Sequence, residues 1–375
     1  MKISELKKAE RMLHDGKYSN AIKHMLDFII ELNNEGLLKK PHEKLSLYEI
    51  SLITRSASAI TMLVANERFI LSEKEYKHLC YKQEEIETLF SISGFQDSSF
   101  MPTLIGSEGE DGELNFSGIE PVKKYFAITP PNRLNEAFID IIQSLPINVL
   151  SPYLLGSTAN INKLDAHGKK IRSKLIALGE KLSTVELKNE DMDIIYRAWV
   201  HCHDHEIKES LHFRFFVNHA IRKWIKSNLK PSNISKPQEK INVVIFAMSD
   251  NEFNEIGKFI PFIKSLHDEP LNIILFKKNK LPSPFKADRC IDIDDSIENL
   301  SKIVEQVASI SPGVIFYPNI DKRLLMILMA NMRLAEMQVI GEHQSSSMSD
   351  NIDYIMTSQN NICHDDYLEQ IVKYC

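Results

Sequence analysis

The heptapeptide Ile241–Ala247 (INVVIFA) constrains the fold of this chain more than any other stretch. It is apolar from end to end and rich in β-branched residues, so neither face of the extended chain is wet, as in a strand buried on both sides. Comparable runs recur downstream: Leu271–Phe276, Cys290–Ile293, Gly313–Tyr317, Met337–Ile340 and Ile352–Thr357. Helix-capable stretches separate several of them, at Asn254–Leu266, Ile297–Ile310 and Lys322–Ala335. This alternation predicts a doubly wound, parallel α/β sheet covered on both faces.

The preceding 230 or so residues read differently. Apolar positions recur at helical spacing in Ser4–Gly16, Ser19–Gly36, Leu45–Ala65, Glu73–Phe90, Asn132–Leu145, Gly168–Leu182, Asp191–His201 and Ser210–Leu229. Pro102–Gly118 is rich in Gly, Glu and Ser and is expected as a surface loop. Lys230–Lys240 (KPSNISKPQEK), with two prolines and one large apolar residue, is the expected linker. The expected organisation is therefore an all-α domain over residues 1–230, a linker over 231–240 and a Rossmann-like α/β domain over 241–375.

Composition narrows the function classes. A formal net charge of −6 argues against nucleic acid as the main partner. The five cysteines are scattered with no CxxC pair, which disfavours a zinc knuckle and a disulfide scaffold. The amphipathic, charged amino terminus has no signal-peptide core, and no apolar run is long enough to span a bilayer. A reducing cytoplasm is the expected location.

Generic motifs are few. No GxGxxG turn follows Ile241–Ala247, and GxSxG, HExxH and P-loop signatures are absent. In Tyr196–His205 (YRAWVHCHDH), His201 and His205 share one helical face, with Cys202 or Asp204 available beside them. No further His/Cys pair lies at finger-like spacing, so packing rather than a metal is expected there. Loops leaving the carboxyl ends of parallel strands are where ligands bind. Of these, Met248–Phe253, Pro318–Asp321 and Gly341–Asp350, the last (GEHQSSSMSD) is dense in hydroxyls. The candidate ligand residues are His343, Ser345, Ser346, Ser347, Ser349 and Asn319, in the crevice of the latter two loops.

The segment Gly313–Thr357 (GVIFYPNIDKRLLMILMANMRLAEMQVIGEHQSSSMSDNIDYIMT) resembles the bacterial adhesin N-glycosyltransferases, relatives of the O-linked N-acetylglucosamine transferases. The matching residues, in order, are Tyr317, Pro318, Ala330, Asn331, Arg333, Leu334, Ala335, Gln338, His343, Ser349, Asp350, Ile352, Asp353 and Tyr354. Leu155–Lys163 (LGSTANINK) and Val200–Trp224, with its His201–Cys202 pair and its later N-H-x-I-R (Asn218, His219, Ile221, Arg222), are similar to segments of the family's helical domain.

The resemblance implies a helical domain followed by one Rossmann-like half of a GT-B glycosyltransferase fold. It also implies a UDP-sugar donor, and transfer of glucose to asparagine in Asn-X-Ser/Thr of an adhesin-like protein acceptor. Departures from the pattern qualify that expectation. The family's histidine-rich loop after the first strand is here Ala247–Phe253 (AMSDNEF), without histidine. In the Gly/Ser loop His343 is kept, but Gln344 replaces proline and Met348 replaces the second histidine. The second Rossmann-like domain, which binds the UDP-sugar in the family, is expected to be missing. Transfer requires a stabilised diphosphate and an aligned acceptor, and one lobe supplies only part of that.

Three readings stay open at this stage. One is a family-derived protein inactive alone, with no cofactor of its own. Another is a split enzyme completed by a second glycosyltransferase chain that brings the donor lobe and UDP-sugar. The third is a non-catalytic protein-binding scaffold. Limited proteolysis is expected to cut first within Pro102–Gly118 or Lys230–Lys240. Early cleavage inside Ile241–Tyr317, read by mass spectrometry of the fragments, would contradict the assignment of that segment to a packed sheet.

Overall fold

The computed structural model describes residues 3–98, 100–108, 114–136, 138–160, 164–202, 207–229, 240–266, 271–283, 285–341, 347–356 and 362–364. The chain forms two compact units, Met1–Leu178 and Gly179–Cys375.

The first unit is helical. It contains α1 (Ile3–His14), α2 (Tyr18–Asn34), α3 (Leu47–Ala65), α4 (Glu73–Tyr81), α5 (Gln83–Ile92) and α6 (Met101–Ile105). After a short antiparallel pair, β1 (Ser107–Glu108) and β2 (Leu114–Asn115), come α7 (Ile119–Ile128), α8 (Phe138–Ser144), α9 (Ile147–Ala159) and α10 (Ala166–Ala177). The stretch Pro102–Gly118 is thus not simply a loop: Met101, 0% exposed, anchors a helical turn, and the two short strands follow it. The single long helix expected over Glu73–Phe90 divides at Lys82 into α4 and α5.

Helix α9 had no helical signature because it is apolar nearly all round and carries Pro152 inside it. Such a helix has no stripe for periodicity to detect. Its burial against α4 depends on Gly156, where a Cβ would stand 2.1 Å from the Cys80 carbonyl oxygen. Helices α3 and α4 both start with capping boxes. Ser46 Oγ accepts the Glu49 amide at 3.2 Å, and the Ser46 amide donates to Glu49 Oε2 at 2.7 Å. Ser72 and Glu75 repeat the arrangement on α4.

The second unit contains α11 (Met192–His201) and α12 (Ile207–Asn228), followed by the sheet strands β3 (Ile241–Ala247), β4 (Leu271–Lys278), β5 (Arg289–Ile293), β6 (Val314–Tyr317), β7 (Met337–Ile340), β8 (Tyr354–Met356) and β9 (Ile362–His364). Helices α13 (Phe253–Leu266), α14 (Leu300–Ile310) and α15 (Leu324–Ala330) connect them. The sheet order is β5-β4-β3-β6-β7-β8-β9, parallel except for the β8–β9 pair. Counted from β3, the parallel strands lie 3-2-1-4-5-6, the Rossmann order. The Rossmann-like α/β expectation therefore holds at the level of topology.

Side-chain alternation sends β3 to two layers. Val243, Ile245 and Ala247 pack with Phe316 and with Ile256, Phe259 and Ile263 of α13. Phe246 points to the other face, where it meets Phe276 and lies nearly parallel to Tyr317, centroids 5.4 Å apart at 3°. Both faces are covered, which is why the run carries no polar alternation.

The boundary between the compact units lies at Leu178/Gly179, whereas the sequence placed it at residues 231–240. Helices α11 and α12 belong with the sheet, because Trp199 and Asn218 make their buried hydrogen bonds inside the second unit. Residues 230–239 of the expected linker lie outside the described residues.

The Ser46 cap yields a stability expectation. Ser46→Ala should cost about 1 kcal/mol in a denaturant titration, the usual worth of a helix cap. The Ser46 amide, then Lys40 and the Ser46 hydroxyl, hold the Glu49 carboxyl down to about 2. Its contribution is complete above 4.5 and is lost as the pH falls from there towards about 2. Glu49→Gln should flatten that part of the acid titration of stability.

Candidate functional site

In the Rossmann order the strands diverge between β3 and β6, and ligands bind such sheets beyond the carboxyl ends of the strands at that divergence. The flanking loops are those after β3 and β6, one strand removed from the pair after β6 and β7 that the hydroxyl-rich sequence suggested.

After β3 the chain turns through Met248, which is 2% exposed. The Met248 amide donates to Glu252 Oε2 at 2.6 Å, closing the turn into α13. Glu252 is itself only 3% exposed. Burial pushes its carboxyl up, while the Met248 and Ser249 amides, the Ser249 hydroxyl and the positive charge of Arg323 pull the other way. Its Oε1 has no hydrogen-bond partner among the described residues.

Strand β6 ends at Tyr317, 0% exposed, whose hydroxyl likewise has no partner among the described residues. Burial raises its phenol strongly. Asn319 Oδ1 accepts the Asp321 amide at 3.1 Å in an Asx turn. Tyr196 of α11 donates its hydroxyl to the Asp321 carbonyl at 3.2 Å. Arg323 Nε lies 3.3 Å from Asp295 Oδ2, which also takes Lys278 Nζ at 3.1 Å. Where β7 ends, Gly341 passes so close to this loop that a Cβ would sit 2.2 Å from the Pro318 carbonyl oxygen.

Of the hydroxyl-rich loop, His343, Ser345 and Ser346 lie outside the described residues, and Ser347 and Ser349 are described. Both face inward at 1% exposure. Ser347 Oγ accepts the Ser349 amide at 3.2 Å, and Ser349 Oγ donates to the Ala330 carbonyl at 2.7 Å. Between them stands Met348, 0% exposed, at a φ of 54°, in the left-handed region that a non-glycine residue enters only when its surroundings hold it there.

The holding group is Asn218 of α12. Its Nδ2 donates to the carbonyls of Ser347 at 2.8 Å and Met348 at 2.9 Å. Its Oδ1 accepts Trp199 Nε1 at 3.0 Å and Asn331 Nδ2 at 2.9 Å. All four hydrogen-bonding positions of one buried amide are filled. One helical turn on, Arg222 Nη2 reaches Asp350 Oδ2 at 3.1 Å. The N-H-x-I-R segment is therefore a clamp on the far end of the hydroxyl-rich loop. Between the two, burial and the neighbouring Arg222 and Lys223 hold the His219 imidazole below its ordinary value.

The remaining resemblance residues form one further network. Arg333 Nη1 pairs with both carboxylate oxygens of Asp353, at 2.8 and 2.9 Å, and donates to the Asn351 carbonyl. Gln338, 0% exposed, accepts the Leu334 amide and donates to the carbonyls of Met332 and Asn351. That side chain shapes residues 331–336 into an irregular turn. This is why α15 ends at Ala330 although the apolar spacing continues to Ala335. Sequence reasoning recognised these residues as a pattern but missed their role.

The histidine cluster resolves in part. His203, Asp204 and His205 lie outside the described residues. Cys202 is buried, with its Sγ 3.1 Å from the Trp199 carbonyl oxygen. Among the described residues no group of three or more His, Cys, Asp or Glu side chains is placed to hold a metal. Nor, among them, is any helix long and apolar enough to cross a membrane.

No protein-family model matches the sequence, and no curated protein matches it. Among solved structures the chain is similar to a point mutant of the O-GlcNAc transferase of Thermobaculum terrenum. The identity is 11% and the TM-score 0.33, over 90% of this chain and 54% of that one. The chain thus spans about half the length of that structure, and a likeness this low bears neither on the site nor on activity.

The Asn218 clamp separates two kinds of bond. Asn218→Ala leaves the Trp199 and Asn331 donors and two carbonyls without their partner, and should cost about 3 kcal/mol or more in equilibrium unfolding. Arg222→Ala breaks a pair whose acid is 53% exposed and should cost less than about 1 kcal/mol. Equal losses for the two variants would show that Asn218 is not the anchor.

Proposed function

We propose that this chain is a glycosyltransferase-like protein of the adhesin N-glucosyltransferase type that keeps the family's scaffold and lacks its transferring groups. One observation carries the reading. The described polar residues Asn218, Arg222, Asn331, Arg333, Gln338, Ser349 and Asp353, which match the family, each make bonds that hold the fold, while the matching Tyr317 keeps its buried hydroxyl without a partner among the described residues. Buried methionines, Met248 and Met348, stand where the resemblance expects histidines.

A thioether neither relays a proton nor donates a hydrogen bond to a developing anion. The described switch-point loops offer no glycine-rich turn to receive a diphosphate. On this reading the chain takes a UDP-sugar only with a second domain or a second glycosyltransferase chain. Its protein partner is such a chain or an adhesin-like acceptor.

The test is direct. Incubation of the chain with UDP-glucose and an Asn-X-Ser/Thr peptide should leave the peptide mass unchanged. A hexose adduct above the enzyme-free control would sink the proposal. An adduct formed only after addition of a separate donor-lobe chain would replace it with the split-enzyme reading.

A further inference from the structure

Helix α3 is 19 residues long, and two of them, Glu49 and Arg55, carry charge. Both charges are compensated within the chain. Glu49 closes the cap and takes Lys40 Nζ at 3.0 Å. Arg55 donates Nε and Nη2 to the two oxygens of Glu10, at 2.8 and 2.6 Å. One side of the helix is packed, with Leu52, Ile53, Ile60 and Leu63 at 2% exposure or less. The other side is a stripe at helical spacing: Leu47, Ser51, Thr54, Arg55, Ser58 and Met62. Its ends are apolar and open, Leu47 at 87% and Met62 at 59%. Its middle is small, and the Thr54 hydroxyl there accepts the Gly94 amide at 3.0 Å. A helix face turned to water normally carries charged residues along its length. This one has large apolar side chains at both ends and one guanidinium whose charge is met from within, the composition of an interface core.

We propose that this stripe is a self-association surface, on which a second copy of the chain lays its own α3 antiparallel. The occupant follows from the order of the residues. Reversal of the helix about the midpoint between Thr54 and Arg55 carries Leu47 onto Met62 and Ser51 onto Ser58. Packed helices cross at an angle, with their axes ~8–10 Å apart at the contact and further apart on either side of it. In an antiparallel pair the serines meet at the crossing, where space is least. Leu47 and Met62 meet at both ends, where the gap is widest. A two-fold axis through the midpoint makes the contact isologous, each copy presenting the same patch. The same axis turns the two Arg55–Glu10 pairs antiparallel to one another, so each guanidinium is drawn towards the carboxylate of the other copy.

This surface belongs to the first compact unit, and its assignment does not rest on the glycosyltransferase reading.

Sedimentation equilibrium of the full chain tests it. The wild type should be dimeric at roughly 100 µM and dissociate on dilution. Met62→Glu and Ser51→Arg each bring an uncompensated charge into the contact and should raise the dissociation constant about tenfold or more. Met62 and Ser51 are exposed in the single chain, so the circular dichroism spectra of these variants should match the wild type. Orientation is read by cross-linking. The double variant Ser51→Cys/Ser58→Cys should form a covalent dimer on mild oxidation. The wild type and each single variant should not, because like positions stand about 10 Å apart along the antiparallel pair, too far for a disulfide. A wild-type chain that is monomeric at the same concentration overturns the proposal and leaves the stripe to a lipid surface or a different protein. A dimer that Met62→Glu and Ser51→Arg leave intact, or single variants that cross-link as fast as the double, overturns it as well.

Discussion

A buried primary amide has two donors and two acceptor positions, and it is costly inside a protein unless all four are met. Asn218 meets all four with groups from three separate places: Trp199 on α11, Asn331 at the end of α15, and the carbonyls of Ser347 and Met348. The fit demands that α11, α12, α15 and the residues before β8 stand in one arrangement. An apolar residue at 218 would tolerate sliding between these elements, because dispersion contacts are weakly directional. The amide does not tolerate it. The left-handed backbone of Met348 persists for the same reason, since the carbonyls on both sides of the Met348 amide are fixed by one side chain.

From that anchor the rest of the sheet connections follow. Asn331 also donates to the Ile327 carbonyl and so ends α15, and Ser349 reaches the Ala330 carbonyl from the opposite side. Gln338 and the Arg333–Asp353 pair then carry the chain from α15 through β7 to β8 by bonding backbone groups that no helix or strand would satisfy. Irregular backbone is buried here without an energetic penalty because side chains take over the role of the ladder.

The sheet was legible from sequence because its strands are buried on both faces. Ile241–Ala247 and Gly313–Tyr317 have no reading except as central strands, and their order in the chain leaves few topologies. The membership of α11 and α12 was not legible. Both are amphipathic helices like those before them, and nothing local says which apolar surface they cover; Asn218 and Trp199 say it only through partners more than a hundred residues away in the first case, such as Asn331 and Ser347. Helix α9 escaped for the opposite reason, since burial on every side removes the stripe that periodicity detects.

The candidate site shows the same division. Composition drew attention to hydroxyls, yet Ser347 and Ser349 spend theirs on backbone groups, as short polar side chains beside a turn commonly do. Glu252 gave no sequence signal, being one acid in the polar stretch SDNE. What distinguishes it is the conflict between its position and its chemistry. One oxygen closes the turn after β3, while the other lies buried opposite the charge of Arg323 with no donor among the described residues. Burial makes charge costly at this carboxyl, and the Met248 and Ser249 amides, the Ser249 hydroxyl and the charge of Arg323 act against that cost, so the group that closes the turn is held between opposing effects that no sequence pattern displays.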